Sequence, residues 1–222
     1  DVAIAPDGSV WAATLAGVSH LEGERWITYT QADGLPSDTV LSIGVTPQGQ
    51  VWAGTVEGAA RLDGGSWTTY LGGGRVWSLE VSPDGAVWFA ADGLGVNRYL
   101  PSKDSWTQYT TADGLPGLSV TTIATGSAGD AWVTVPWEGI YHFDGARWQR
   151  VREHGGMVCA LAVAADGTAW IGGCGSLHYS WGSLIHGQGD EWLDVTGWHD
   201  MGTPAVHAIA LGPDGKIAVG TD

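Results

Sequence analysis

The sequence predicts an all-β fold built from repeated four-stranded antiparallel units, and three observations predict it. First, one phrase recurs: a short apolar run, a turn of the Pro-Asp-Gly kind, then a small or apolar residue and Trp. It reads VAIAPDGSVW, IGVTPQGQVW, LEVSPDGAVW, IATGSAGDAW and LAVAADGTAW, then degenerately IALGPDGKIA. The Trp residues are Trp11, Trp52, Trp88, Trp132 and Trp170, spaced 41, 36, 44 and 38 residues apart. A period of this length marks one supersecondary unit stacked on copies of itself. Second, the segments alternate with period 2, and no convincing 3.6-residue apolar period occurs anywhere. Third, Gly is abundant (36 residues) and falls in the hairpins and linkers between those segments.

The second repeat shows the elements in order. VLSIGV alternates, with Leu41, Ile43 and Val45 on one face and Ser42 and Gly44 on the other. This reads as a strand. Pro47-Gln48-Gly49 is turn chemistry, and QVWAGT returns as the second strand of a hairpin. Glu57-Gly58 breaks it, AARLD is a third strand, Gly64-Gly65 turns again, and SWTTY is a fourth. Four short antiparallel strands make one blade of a β-propeller. The other repeats follow, with fourth strands RWITY, SWTQY, RWQRV and EWLDV.

Those fourth strands carry Trp26, Trp67, Trp106, Trp148 and Trp192, so ten of the fourteen Trp residues are expected to be framework, filling the wedge between sheets. The first-strand column Ser42, Ser78, Thr122, Ala160 and Ala208 is small, as crowding near an axis requires. The expected repeats are 1–38, 39–73, 74–117, 118–156, 157–204 and 205–222, in a single propeller domain over 1–222. That is five complete blades and a partial sixth. The sixth repeat ends after its second strand and the first begins within its own first strand, so the chain is expected to be incomplete or part of a longer one.

Composition narrows the partners. Nine Lys and Arg stand against 24 Asp and Glu, a net charge of −15. Phosphate backbones need clustered basic residues, so a nucleic-acid partner is excluded, as is an anionic membrane surface. No run of 18 apolar residues exists, so no membrane insertion is expected in this segment. Cys159 lies in the first strand of repeat five and Cys174 just after its second. The turn near Asp166-Gly167 sets the two almost opposite each other. Two readings stay open: a cross-strand disulfide suited to an exported protein, or two small buried hydrophobes.

Two stretches carry a family resemblance: QADGLPSDTVLSIGVTPQGQVWAGTVEGAARLDGGSWTTY and TADGLPGLSVTTIATGSAGDAWVTVPWEGIYHFDGARW. The pattern is a Gly-Leu-Pro linker, an alternating strand, an acidic-Gly turn, a Trp-x-Gly-Thr strand, a Gly and an aromatic closing strand. It resembles the two-component regulator propeller, found in extracytoplasmic sensor regions of bacterial hybrid histidine kinases and related exported proteins. The resemblance implies a β-propeller, ligand sensing and an extracytoplasmic (periplasmic or extracellular) location, with anchoring through parts outside this chain.

In a propeller, the blade linkers and the loops between second and third strands share one face, around the mouth of the axial channel. The residue after the opening Val of each first strand is Leu41, Trp77, Thr121, Cys159 and His207, different in every repeat while its neighbours are uniform. Such a column at the mouth either writes a binding specificity or fills differently shaped gaps. Trp77, Trp137, Trp181 and Trp198 fall outside the framework, and Trp137 with Glu138 sits in an extended loop. Exposed Trp rings are platforms for sugars and other ligands. Glu80 stands in a column otherwise Gly or Ala, so it is hydrated, functional or paired, with Arg75 the near partner in sequence. His154, His199 and His207 map near the mouth, and His199-Asp200 is a candidate acid–base pair. No metal-ligand His spacing and no phosphate-cradling loop occurs, so neither a metal nor a cofactor is expected. The Asp residues of the turns (Asp7, Asp84, Asp214) are expected only to support turn backbone.

The expected ligand-site residues are therefore Arg75, Trp77, Glu80, Trp137, Glu138, His199, Asp200 and His207. They fit a non-catalytic propeller that recognises a small molecule, a carbohydrate or another protein. An alternative is a propeller lyase or hydrolase using His199, His207 or Glu80, since streptogramin-lyase-type propellers use His on this face. A structural or protein-docking propeller is the third reading.

Overall fold

The computed structural model describes residues 1–127, 129–154, 156–174, 184–189, 191–195, 205–212 and 215–221. Within them strands dominate, and the helical elements are three single 3-10 turns. Sheet 1 comprises β1 (Val2–Ile4), β2 (Val10–Thr14), β3 (Gly17–Glu22) and β4 (Arg25–Tyr29). Sheet 2 comprises β5 (Val40–Val45), β6 (Val51–Thr55), β7 (Gly58–Asp63) and β8 (Ser66–Gly72). Sheet 3 comprises β9 (Val76–Val81), β10 (Val87–Ala91), β11 (Gly95–Leu100) and β12 (Ser105–Tyr109). Sheet 4 comprises β13 (Thr122–Thr125), β14 (Ala131–Val135), β15 (Gly139–Phe143) and β16 (Trp148–Arg152). Sheet 5 comprises β17 (Val158–Val163), β18 (Ala169–Gly173), β19 (Leu184–Gln188) and β20 (Glu191–Asp194). The sixth sheet pairs β21 (Val206–Leu211) with β22 (Ile217–Thr221). Every sheet is a meander in chain order, all pairs antiparallel, as turn-separated alternating segments dictate.

The chain divides into two compact units, Asp1–Thr110 with Leu118–Val120 and Thr111–Gly117 with Thr121–Asp222. In the first unit, β1 lies against β5 and β5 against β9. In the second, β13 lies against β17 and β17 against β21. First strands are thus the inner strands, and the small residues of that column permit their approach. A Cβ on Gly44 would strike Leu79 of the next sheet. The apolar clusters run between sheets: Trp11 and Val18 pack with Ile43 and Ala53, Trp52 with Val76 and Phe89, and Trp132 with Val158 and Ile171. Face-to-face packing within each unit accounts for the near-complete burial of Trp11, Trp52 and Trp132.

The fourth-strand Trp column is not uniform framework. Trp67 and Trp148 are buried, but Trp26 is 54% and Trp106 36% exposed. The Gly-Leu-Pro linker is the cause. Gly34, at φ 99°, lies against the Trp67 carbonyl, and Leu35 is buried in the same cluster as Trp67. Gly114, at φ 101°, lies against the Trp148 carbonyl in the same way, with Leu115 buried. Sheet 3 is preceded by Gly72-Gly73-Gly74-Arg75 instead of such a linker, and its outer ring is less covered. Sheet 3 makes up the lost core volume from within: Phe89 stands where sheets 2 and 4 have Ala53 and Val133.

Candidate ligand-binding site

Each variable first-strand residue is a β-bulge. The register of β5 with β6 skips Leu41, that of β9 with β10 skips Trp77, and those of sheets 5 and 6 skip Cys159 and His207. In sheet 4, Thr121 precedes the ladder but its amide still donates to the Thr134 carbonyl at 3.2 Å, so two residues again oppose one. A bulge drops one residue out of the ladder and re-aims its side chain. The preceding valines (Val40, Val76, Val120, Val158, Val206) are buried, while Trp77, Cys159 and His207 are exposed. The bulge also breaks the expected alternation: Leu41 does not share the face of Ile43, because the extra residue shifts the phase.

At the bulge end of sheet 3, the Arg75 guanidinium lies 4.6 Å from the Trp77 ring centroid. The Arg75 carbonyl accepts from the Asp92 amide at 2.8 Å, which ties the linker to the loop after β10. Gly74 is pressed between Leu94 and the Asp92 carbonyl, where no side chain fits. The result is an Arg-backed indole, 37% exposed, on a fixed turn. Arg75 does not pair with Glu80, because stacking on Trp77 takes the guanidinium away from it. Glu80 is in register with Trp88 and shares its face. The carboxylate has no hydrogen-bond or ion-pair partner among the described residues, and burial alone raises its pKa from the ordinary 4.5 to about 7.

In the second unit, Trp137 holds φ at 67°, a left-handed conformation that a bulky residue adopts only under constraint. Its amide donates to the Gly156 carbonyl at the bulge end of sheet 4, and its ring is 59% exposed. Glu138, beside it, is exposed, and its amide closes the turn onto the Val135 carbonyl at 3.1 Å. His154 is buried rather than presented to solvent. Desolvation, then the Arg152 charge, lowers its pKa and keeps the ring neutral. Cys159 and Cys174 form a disulfide that ties the sheet 5 bulge to the residue after β18, and the Cys174 amide donates to the Met157 carbonyl at 3.1 Å. His207 occupies the exposed bulge of β21. His199, Asp200, Trp181, Trp198 and Asp214 lie outside the described residues. The structure thus joins Arg75 to Trp77 and sets Trp137 beside Glu138. Glu80 stands apart from both pairs in its contacts.

One column escaped the sequence reading. Across the second-to-third strand register, each phrase Trp faces a cationic or imidazole side chain: Trp11–His20, Trp52–Arg61, Trp88–Arg98, Trp132–His142 and Trp170–His186. The His20 ring stacks on Trp11 at 4.0 Å and 8°, and the Arg98 guanidinium lies 4.9 Å over Trp88. The spacing of nine or ten residues after Trp in the first four repeats is the signal that could have found it. At the opposite, turn-bearing end, Asp7 and Asp84 accept turn amides, as expected, and Asp166 does the same. Asp84 in addition pairs with Arg98 at 3.0 Å, and Asp130 holds both the Trp132 indole N–H and His142. A cleft of about 430 Å³ at this end, lined by Asp130, His142, Asp144 and Asp166, has carboxylates already engaged by these internal donors.

No family profile and no curated protein sequence matches the chain. Solved structures do. The extracellular domain of the putative one component system BT4673 from B. thetaiotaomicron matches over 100% of this chain at 16% identity and TM-score 0.75. The virginiamycin B lyase from Staphylococcus aureus matches over 98% at 15% identity and TM-score 0.77. PorZ, described as a bacterial surface component of the type-IX secretion system of Porphyromonas gingivalis, matches over 100% at 16% identity and TM-score 0.71. The chain has a β-propeller fold. That is the fold implied by the Gly-Leu-Pro repeats and their resemblance to regulator propellers. The chain spans 30% of the BT4673 domain, 75% of the lyase and 39% of PorZ. Among the described residues, no helix is long and apolar enough to cross a membrane.

Proposed function

We propose that this chain is a non-catalytic recognition propeller of the regulator-propeller type, binding a small molecule or glycan at the bulge-bearing ends of its sheets. The observation that carries this reading is the coincidence of sequence variability with the bulge. The one first-strand position that differs in every repeat is also the one lifted out of the ladder. A gap-filling residue belongs inside the ladder, whereas a bulge residue has its side chain re-aimed away from the ladder's alternation. Trp77 under Arg75 and the constrained Trp137 are the aromatic anchors, with Glu138 and His207 supplying polar contacts on their own sheets. The extracellular neighbour from B. thetaiotaomicron supports an exported sensor. So does the Cys159–Cys174 bridge, since disulfides persist in oxidising compartments. The location is therefore extracytoplasmic.

Thermal-shift screening against soluble sugars and small polar metabolites tests this. A ligand at 100-fold its dissociation constant stabilises by about 2.7 kcal/mol, a clear rise in midpoint. Trp77→Ala or Arg75→Ala should abolish the rise for a ligand held by the first unit, and Trp137→Ala or His207→Ala for one held by the second. A ligand whose shift survives all four substitutions would place recognition elsewhere. Chemical turnover of the bound compound would make the site an enzyme's, as in the lyase neighbour.

A further inference from the structure

We infer that Trp106 is the platform of a second site, on the outer edge of sheet 3, that binds a neutral carbohydrate chain. In sheets 2 and 4 the equivalent ring is covered by a Gly-Leu-Pro linker; here the linker is Gly72-Gly73-Gly74-Arg75, and the ring is 36% exposed. The exposure is not a packing defect, because Phe89 fills the core beneath at 5.5 Å. Tyr99 at 5.0 Å, Trp52 at 5.8 Å and Tyr70 at 6.2 Å fix the ring's orientation, Tyr70 being stacked at 26°. A rigid ring loses little entropy on binding.

Around this ring stands a polar network held in place before any ligand arrives. Arg61 Nε donates to Asp63 Oδ1 at 2.6 Å, and its terminal nitrogens donate to the Tyr99 and Tyr70 hydroxyls. The Tyr70 hydroxyl donates to Asp63 Oδ2 at 3.2 Å, and the Tyr99 hydroxyl to Asp104 Oδ1 at 2.8 Å. Asp104 sits at φ 46°, closing the 3-10 turn Pro101–Lys103. This lengthens the β11–β12 hairpin relative to the Gly-containing hairpins of sheets 1, 2 and 4. The insertion places an exposed carboxylate two residues from the open indole.

A flat apolar face beside fixed carboxylates and a guanidinium matches a pyranose, whose C–H face stacks while its hydroxyls donate to Asp63 and Asp104. Two carboxylates against one Arg, on a chain of net charge −15, disfavour phosphates and acidic glycans.

Isothermal titration with cellohexaose, xylohexaose, mannohexaose and laminarihexaose tests the site on the whole chain. At least one should bind, Trp106→Ala should weaken it by at least about tenfold, and Asp104→Asn by severalfold. Asp104→Asn keeps a side-chain oxygen that can accept from the Tyr99 hydroxyl, at an exposed position, and keeps the test valid if Trp106→Ala unfolds. Trp77→Ala should leave this binding unchanged, which separates it from recognition at the bulge end. Absence of binding by all four sugars overturns the inference. So does full retention of binding in Asp104→Asn together with a folded Trp106→Ala.

Discussion

Gly34 lies so close to the carbonyl oxygen of Trp67 that a Cβ on it would collide with the backbone. The contact locks the Gly-Leu-Pro linker across the outer edge of sheet 2. A capping box reinforces it: Thr30 Oγ1 accepts from the Ala32 amide at 3.3 Å, and Asp33 accepts from the Thr30 amide at 2.8 Å. Gly34→Ala combines a left-handed φ with a backbone collision and should cost about 2–4 kcal/mol in urea denaturation. Gly8→Ala is the control. Its φ is 85° but a Cβ there meets nothing within 4 Å, so it should cost only about 1 kcal/mol. Equal costs would show that the linker does not depend on this contact.

Glu80 makes stability fall with rising pH. Its folded pKa of about 7 exceeds the ordinary 4.5, so the folded state binds more protons between these values. The contribution of Glu80 is therefore most favourable below about pH 4.5, declines through pH 7, and carries its full cost above. The 4.5-to-7 window sets an upper bound of about 3 kcal/mol. Glu80→Ala restores the small residue of this column and should raise the unfolding free energy at pH 8. The advantage should shrink toward pH 4. A pH-independent difference between the two proteins would mean that the carboxylate has the same pKa in the folded and unfolded states.

The meander of each blade was legible because period-2 alternation and turn residues are local. The Trp column at the second strand was legible for the same reason. Bulges were not: Leu41 and Trp77 continue the apolar run, and only pairing reveals them as extra residues. The variable column was therefore noticed without its cause. Arg75 and Glu80 looked like partners because they are close in sequence, but the Trp77 ring competes for the guanidinium. The exposure of Trp106 depends on which linker precedes its blade, a relation spanning more than thirty residues that no single repeat displays. The partners of the phrase Trp residues were not legible because the column mixes two residue types (His20, Arg61, Arg98, His142 and His186), and only the pairing of second and third strands sets each of them opposite its Trp.

That cross-strand column should behave as packing. Arg98→Met keeps most of the aliphatic stem over Trp88 but removes the cation and its bond to Asp84. The expected loss is about 1 kcal/mol, the sum of a modest cation–π and a half-exposed ion pair. Denaturation in 1 M salt should reduce the difference, since screening weakens the exposed pair. A loss that salt leaves unaltered would assign the effect to the stacking alone.

The disulfide fastens the bulge at the start of β17. Cys159 is skipped by the β17–β18 register, so without the bridge its strand end is held by Val158 and by the Cys174 amide on Met157. Closing a loop of 15 residues restricts the unfolded chain by about 3 kcal/mol in the chain-entropy account. Cys159→Ser with Cys174→Ser should lose stability of that order, and reductant should lower the wild-type midpoint to that of the double variant without affecting the variant itself. Because the bridge reaches only sheet 5, Arg75 and Trp77 in the first unit should keep their geometry. Protection of the Asp92 amide, which donates to Arg75, should survive reduction in hydrogen exchange while that of Cys174 is lost. Loss of both amides together would show that the two units unfold as one, and a bulge-end ligand would then report on the disulfide as well as on its own contacts.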